Sequence, residues 1–209
     1  DLTTANFKSE FTVQRQGVTL GKVTLNIPGV HNAVNALAVI ALGSEIGVPF
    51  EKMAAALATF RGAKRRFEVI YESEKNLIVD DYGHHPTEIT VTLNAARRYA
   101  GEGRVLVIFQ PHRYSRTLAF MDDFATSLDL ADDVTLLEIY AASEKPIHGV
   151  SSSLIAEKMS KGHFIPNFVS ASERVIELAK PGDVIITLGA GDVNSLAPII
   201  AEGLQRRFA

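Results

Sequence analysis

The chain has 209 residues, 46% of them hydrophobic and 22% charged, and a formal charge of −3. This is the profile of an ordinary globular protein, without the clustered positive excess that a broad nucleic-acid surface needs. It contains no cysteine, which excludes disulfides, thiolate nucleophiles and cysteine-held zinc.

No apolar run approaches the roughly 20 residues needed to span a bilayer. The opening DLTTANFKSE is polar and lacks both a signal-peptide core and an initiator methionine. The expectation is a cytoplasmic protein, without membrane or nucleic-acid partners, represented by a piece of a longer chain.

Residues 10–27 alternate apolar and polar positions around Gly17 and Gly21, a pattern of short, half-buried antiparallel strands. Residues 32–47 turn helical, with Val34, Leu37, Ile40, Ala41 and Ser44 marking the repeat, and Gly47 and Pro49 stop the run. A second helix over 49–60 closes on Gly62, and RGAKRR follows as an exposed basic connector.

From Arg66 the pattern changes. The runs FEVIY, NLIVD, RVLVIF, DVTLLEI, NFVS and DVIITL read as strands. They alternate with the helical runs TEITVTLNAARRYA, LAFMDDFATSL, SSLIAEKM, SERVIELA and VNSLAPIIAEGL. Such alternation implies βαβ units and a mainly parallel sheet of about six strands. VLVIF and VIITL are continuously apolar, as strands covered on both faces are. The expected division is a small, incomplete α+β piece over 1–61 and a Rossmann-like α/β domain over 62–209.

Four segments carry chemistry. In Gly29-Val30-His31-Asn32-Ala33-Val34-Asn35, His31, Asn32 and Asn35 can crowd one end of a helix face. An asparagine amide matches the donor and acceptor of an adenine edge; the alternative is that Asn32 is a plain N-cap. Asp80-Asp81-Tyr82-Gly83-His84-His85-Pro86-Thr87-Glu88 follows an apolar strand and enters a helix, where open α/β sheets bind ligands. A ligand site and simple turn-and-cap duty both remain open here. A metal site is disfavoured, because adjacent histidines diverge and no third ligand has suitable spacing.

In Gln110-Pro111-His112-Arg113-Tyr114-Ser115-Arg116-Thr117, two arginines stand three apart where a helix begins. Cations there oppose the helix dipole, an arrangement that favours a bound anion over arginines paired with Asp122, Asp123 or another carboxylate. Leu188-Gly189-Ala190-Gly191-Asp192 fails as a dinucleotide loop, since Asn194 stands where a third glycine belongs, and Asp192 suits an N-cap. No G-x-x-x-x-G-K-[ST] phosphate loop occurs.

Taken in order, GVHNAVNALA, FRGAKRRFE, VDDYGHHPTEI, FQPHRYSRT, IYAASEKPIHG and LGAGDV resemble the Mur ligase family, in its alanine-adding branch. The resemblance implies ATP-driven amide formation. UDP-N-acetylmuramate is activated as an acyl phosphate, and the amine of L-alanine attacks it.

It further implies that 1–61 is the tail of a central ATPase domain and 62–209 the amino-acid-binding domain. The UDP-sugar domain, the P-loop and the Mg2+ ligands would then lie outside this sequence. By the same resemblance His31, Asn32 and Asn35 hold adenine, Arg66 meets ATP phosphate and Asp81 contacts the nucleotide on closure. Tyr82, His84, His112, Arg113 and Arg116 line the alanine and acyl-phosphate side, with Arg66, His84, Arg113 and Arg116 as the catalytic set. Weaker alternatives are a non-catalytic small-anion module, the related ligase that recycles murein tripeptide and, third, a nucleotide-dependent oxidoreductase.

Overall fold

The computed structural model describes residues 1–5, 8–27 and 29–208. It divides into two compact units, Asp1–Ala63 and Lys64–Ala209.

The first unit is an antiparallel three-stranded sheet, β1 (Leu2–Ala5), β2 (Lys8–Arg15) and β3 (Val18–Leu25), with helices α1 (Val30–Glu45) and α2 (Phe50–Thr59). Gln16 and Gly17, both at positive φ (50° and 82°), form the two-residue turn of the β2–β3 hairpin; that geometry matches the right-handed twist of the strands it joins. The alternation turns Phe11, Val13, Val23 and Leu25 inward, onto Ala33, Ala36, Ile40 and Met53.

Here the helical stripe differs from the expected one. Val34 and Leu37 are 58% and 42% exposed, while Ala33 and Ala36 are buried. Small side chains let α1 approach β2 and α2 closely, and the bulky residues face outward. Asn32 is not the cap either: the helix starts at Val30 behind Gly29 (φ 109°), which puts Asn32 inside the first turn.

The second unit is a six-stranded sheet in the order β4-β5-β9-β6-β7-β8. Its strands are β4 (Glu68–Glu72), β5 (Leu77–Asp81), β6 (Val105–Phe109), β7 (Asp133–Leu136), β8 (Gly162–Phe164) and β9 (Val184–Leu188). Only the edge strand β4 is antiparallel. Alternate residues of the buried strands serve opposite faces. Ile78, Leu106, Ile108 and Ile185 pack with α7 (Phe168–Leu178) and α8 (Leu196–Phe208). On the other face Phe109 meets Phe124 of α5 (Met121–Leu128), which packs against α3 (Pro86–Ala100) and α6 (Ser152–Glu157).

Two local expectations change. NFVS is the start of α7, because the Asn167 side chain accepts from Ser170 N at 3.0 Å and caps a helix; the neighbouring strand is Gly162–Phe164. LAFMDDFATSL does not form one helix. Its first residues belong to α4 (Tyr114–Ala119), and the chain breaks at Phe120 before α5. Among the described residues no helix is long and apolar enough to cross a membrane.

Candidate functional site

The parallel strands β5, β9 and β6 end side by side, and Gln110 N donates to Leu188 O while Gly189 N donates to Asp81 O just beyond them. Ligands of open α/β sheets gather at this edge. Both polar segments that follow β5 and β6 open there and meet: the His84 and His112 ring centroids are 5.7 Å apart.

Within DDYGHHPTE, the two readings divide the residues between them. Asp80 and Asp81 serve the fold. Asp80 accepts from Thr187 Oγ1 (2.7 Å) and pairs with Arg65 (3.0 Å), while Asp81 accepts from Phe67 N and Gly83 N, each at 2.7 Å. Burial pushes both carboxyls above the usual aspartate value, against the lowering effect of those bonds. Asp81 therefore does not present a free carboxylate; a nucleotide would meet it only after these bonds are exchanged. His85 caps α3 in a capping box with Glu88, which supplies donors and acceptors otherwise missing at a helix start.

Tyr82 and His84 are left half-buried at the cleft, edge-to-face at 5.2 Å. His84 Nδ1 lies 3.0 Å from Tyr82 O and 3.7 Å from Glu88 Oε2. Glu88 also accepts from the His84 and His85 amides, and Arg66 pairs with it at 3.3 Å. Burial raises the Glu88 pKa, but these bonds and charges bring it below the usual value.

From the other segment, His112 stacks on Tyr140 at 5.6 Å and lies 3.4 Å from Arg116. Its own burial first, then His84, Arg116 and Arg113, lower its pKa. Among the described residues neither Arg113 nor Arg116 is ion-paired, and Asp122 is taken by Lys158. The alternative of arginines paired with Asp122 or Asp123 is therefore not what the described residues form.

The backbone end of α4 is a different matter. Glu144 accepts from Ser115 N (3.0 Å) and Ser115 Oγ (2.6 Å), so an anion would meet the arginine side chains and not the helix amides.

In the basic connector Arg61, Lys64 and Arg66 are exposed as expected, and Arg65 is partly buried. Arg65 donates to Asp80 and to the carbonyls of Gly189 (2.6 Å) and Gly191 (3.0 Å), and its own carbonyl accepts from Tyr82 N. It clamps the ends of β5 and β9 together and lies 5.1 Å over the Tyr82 ring, with Arg66 at 5.5 Å.

The glycines of LGAGD admit Gln110. A Cβ at Gly189 would meet Gln110 O at 2.6 Å, and one at Gly191 would meet Gln110 Oε1 at 2.2 Å. Asp192 is no side-chain cap, since its carboxylate accepts from Gln110 Nε2 (2.8 Å) instead. Sequence patterns singled out none of Arg65, Gln110, Glu88 and Tyr140 for the site, because their partners are remote or their signal is that of ordinary capping.

In the first unit, His31 and Asn35 are exposed on the opening turns of α1 and Asn32 is half-buried. The His31 ring folds back against Gly29, where a Cβ would lie 2.7 Å from Cε1. No group of three or more His, Asp or Glu among the described residues is arranged to hold a metal ion.

The family description "Mur ligase, glutamate ligase domain" matches residues 65–191. The chain belongs to the Mur ligase family. It is 44% identical over 206 residues to a UDP-N-acetylmuramate–L-alanine ligase of Koribacter versatilis, covering 96% of this chain and 44% of that protein. Against the enzyme of the same name from Desulfatibacillum aliphaticivorans it is 48% identical over 198 residues, 92% of this chain and 43% of that one.

Among solved structures, UDP-N-acetylmuramate-alanine ligase from Thermotoga maritima superposes with a TM-score of 0.80 at 28% identity, over 96% of this chain and 44% of that one. A murein peptide ligase from Psychrobacter arcticus superposes with 0.68 at 25% identity, over 97% and 43%. The chain thus spans less than half the length of these relatives.

Proposed function

We propose that this chain is the amino-acid-binding part, with a segment of the adenine site, of an ATP-dependent ligase joining L-alanine to UDP-N-acetylmuramate. The observation that carries the reading is the cleft where β5 and β6 end. Arg113 and Arg116, neither of them ion-paired among the described residues, stand there with His84 and His112, and Glu144 is the carboxylate whose field Arg113 feels. Arg113 and Arg116 offset the charge of the alanine carboxylate or of the transferred phosphoryl group. Tyr82, His84 and His112 shape the pocket around them, and Arg66, held by Glu88 and lying over the Tyr82 ring, is assigned to the ATP phosphates.

His31, Asn32 and Asn35 contact adenine. Asp81 holds the Arg66–Phe67 segment in place. Magnesium and the phosphate loop are assigned to the part of the protein outside this chain. The identities of 44% and 48% to alanine ligases favour that substrate over the tripeptide of the recycling ligase.

The test is steady-state kinetics of the full-length protein carrying Arg116→Ala. ATP affinity should stay near wild type while alanine-dependent turnover drops about 10²–10³-fold, the usual cost of removing one donor aimed at developing charge. Unchanged turnover with alanine would make Arg116 a surface residue and leave the small-anion module as the better reading.

A further inference from the structure

The partners of the two histidines that meet in the cleft call for opposite tautomers. His84 Nδ1 faces two acceptors, the Tyr82 carbonyl oxygen at 3.0 Å and Glu88 Oε2 at 3.7 Å. A nitrogen so placed carries the proton, which leaves the lone pair on Nε2. His112 Nδ1 instead lies 3.4 Å from Arg116 Nη1. A guanidinium only donates, so His112 Nδ1 holds the lone pair and its proton sits on Nε2. One ring thus offers the cleft a base, and the other offers it a donor.

We infer that His84 is the general base that takes a proton from the ammonium group of the incoming amino acid, with Glu88 as its positioning carboxylate. This rests on the ligase reading above. A free amino acid at neutral pH is an ammonium ion without a nucleophilic lone pair. His84 Nε2 takes one proton and becomes imidazolium, which the Glu88 carboxylate stabilises across the ring as a third group orients a base.

The amine lone pair then forms the C–N bond at the acyl-phosphate carbon, the carbon–oxygen bond to phosphate breaks, and the amine's second proton leaves with the phosphate. His112 cannot take the first proton, because Arg116 occupies its basic nitrogen; its Nε2–H is left to donate to an oxygen. The charged groups around His84 are Glu88 of α3, Arg66, which pairs with Glu88 at 3.3 Å and lies over the Tyr82 ring, and Arg113 and Arg116 beyond His112. Burial first, and then His84 and the two arginines, lower the His112 pKa, and such cations also favour loss of charge from a nearby ammonium.

Two measurements test this. Long-range 1H–15N spectra of protein labelled at histidine nitrogens should show an unprotonated Nε2 for His84 and a protonated Nε2 for His112 near neutral pH. The reverse assignment for His84 overturns the inference.

The second compares nucleophiles in the full-length protein with ATP and UDP-N-acetylmuramate. Hydroxylamine, largely uncharged at neutral pH, traps an acyl phosphate as the hydroxamate without needing a base. His84→Asn keeps a donor toward Tyr82 O but removes Nε2. Its kcat/KM for L-alanine should fall about 10²–10⁴-fold and recover as pH rises, whereas hydroxamate formation should fall at least about tenfold less. Equal losses with both nucleophiles, while the wild type forms hydroxamate normally, overturn the inference alone. A wild type that forms no hydroxamate overturns the ligase reading and this inference with it.

Discussion

At the scale of single residues, the site works by dividing labour between side chains that look alike in sequence. Asp80 and Asp81 satisfy the backbone and Arg65, His85 caps a helix, and only Tyr82 and His84 of that segment are turned to the cleft. His112 gives this division a measurable signature. Its folded pKa lies below the unfolded value of 6.5, owing to burial and then to His84, Arg116 and Arg113. Between those two values the unfolded chain binds more protons, so stability is full above about pH 6.5 and declines as pH falls to the folded value. Asp80 and Asp81, raised from 3.8, act in the opposite sense, so the contrast must be made against a variant. Urea midpoints from about pH 7.5 to about pH 5 should fall more for the wild type than for His112→Gln. Parallel curves would mean that His112 titrates alike folded and unfolded.

At the scale of elements, Asp183 joins the turn before β9 to the start of β6. Its carboxylate accepts from Arg104 Nη2 (2.6 Å) and Nε (3.2 Å), from Arg104 N (3.2 Å) and from Lys180 N (2.7 Å), and its side chain is 3% exposed. Removing one partner of such a pair leaves the other charge and two amides uncompensated, so Asp183→Ala should cost about 3 kcal/mol in denaturant unfolding. A loss under about 1 kcal/mol would show that water replaces the carboxylate at this edge.

Elements of this kind were largely legible in the sequence. VLVIF and VIITL were strands because runs covered on both faces are apolar throughout, and DDYGHHP and PHRYSRT meet because both follow such strands. NFVS failed because one Asn167 side chain, bonding its own backbone, outweighs the apolar look of Phe168 and Val169. The α1 stripe failed because close approach favours Ala33 and Ala36 over Val34 and Leu37, a preference set by the partner surface. Arg65 was illegible for a third reason: its acceptors in the glycine loop lie 124 and 126 residues away.

At the scale of the whole molecule, the proposed reaction needs more than this chain provides. Transfer of the γ-phosphoryl group is mostly a matter of holding the β- and γ-phosphates and their metal in line. The sequence has no glycine-rich loop of the G-x-x-x-x-G-K-[ST] type, and the described residues include no metal-holding group of acids and histidines. What it does hold is a paired arginine site and, on α1, three polar side chains at the end of a helix. On the proposed reading those groups would recognise fragments of the reactants, but without the phosphate grip they would not orient the transfer.

The 209-residue chain should therefore produce no ADP in response to L-alanine and UDP-N-acetylmuramate, while the full-length protein does. L-alanine should still bind it weakly, with Kd of about 1 mM or higher, since one carboxylate held by an exposed and a half-buried arginine yields only about 4 kcal/mol. Titrating L-alanine while following backbone amide shifts of residues 112–116 measures that binding, and a coupled ADP assay measures turnover. Alanine-dependent ADP release from the chain alone would show that its own residues grip the phosphates, and would sink the assignment of that task to the rest of the protein.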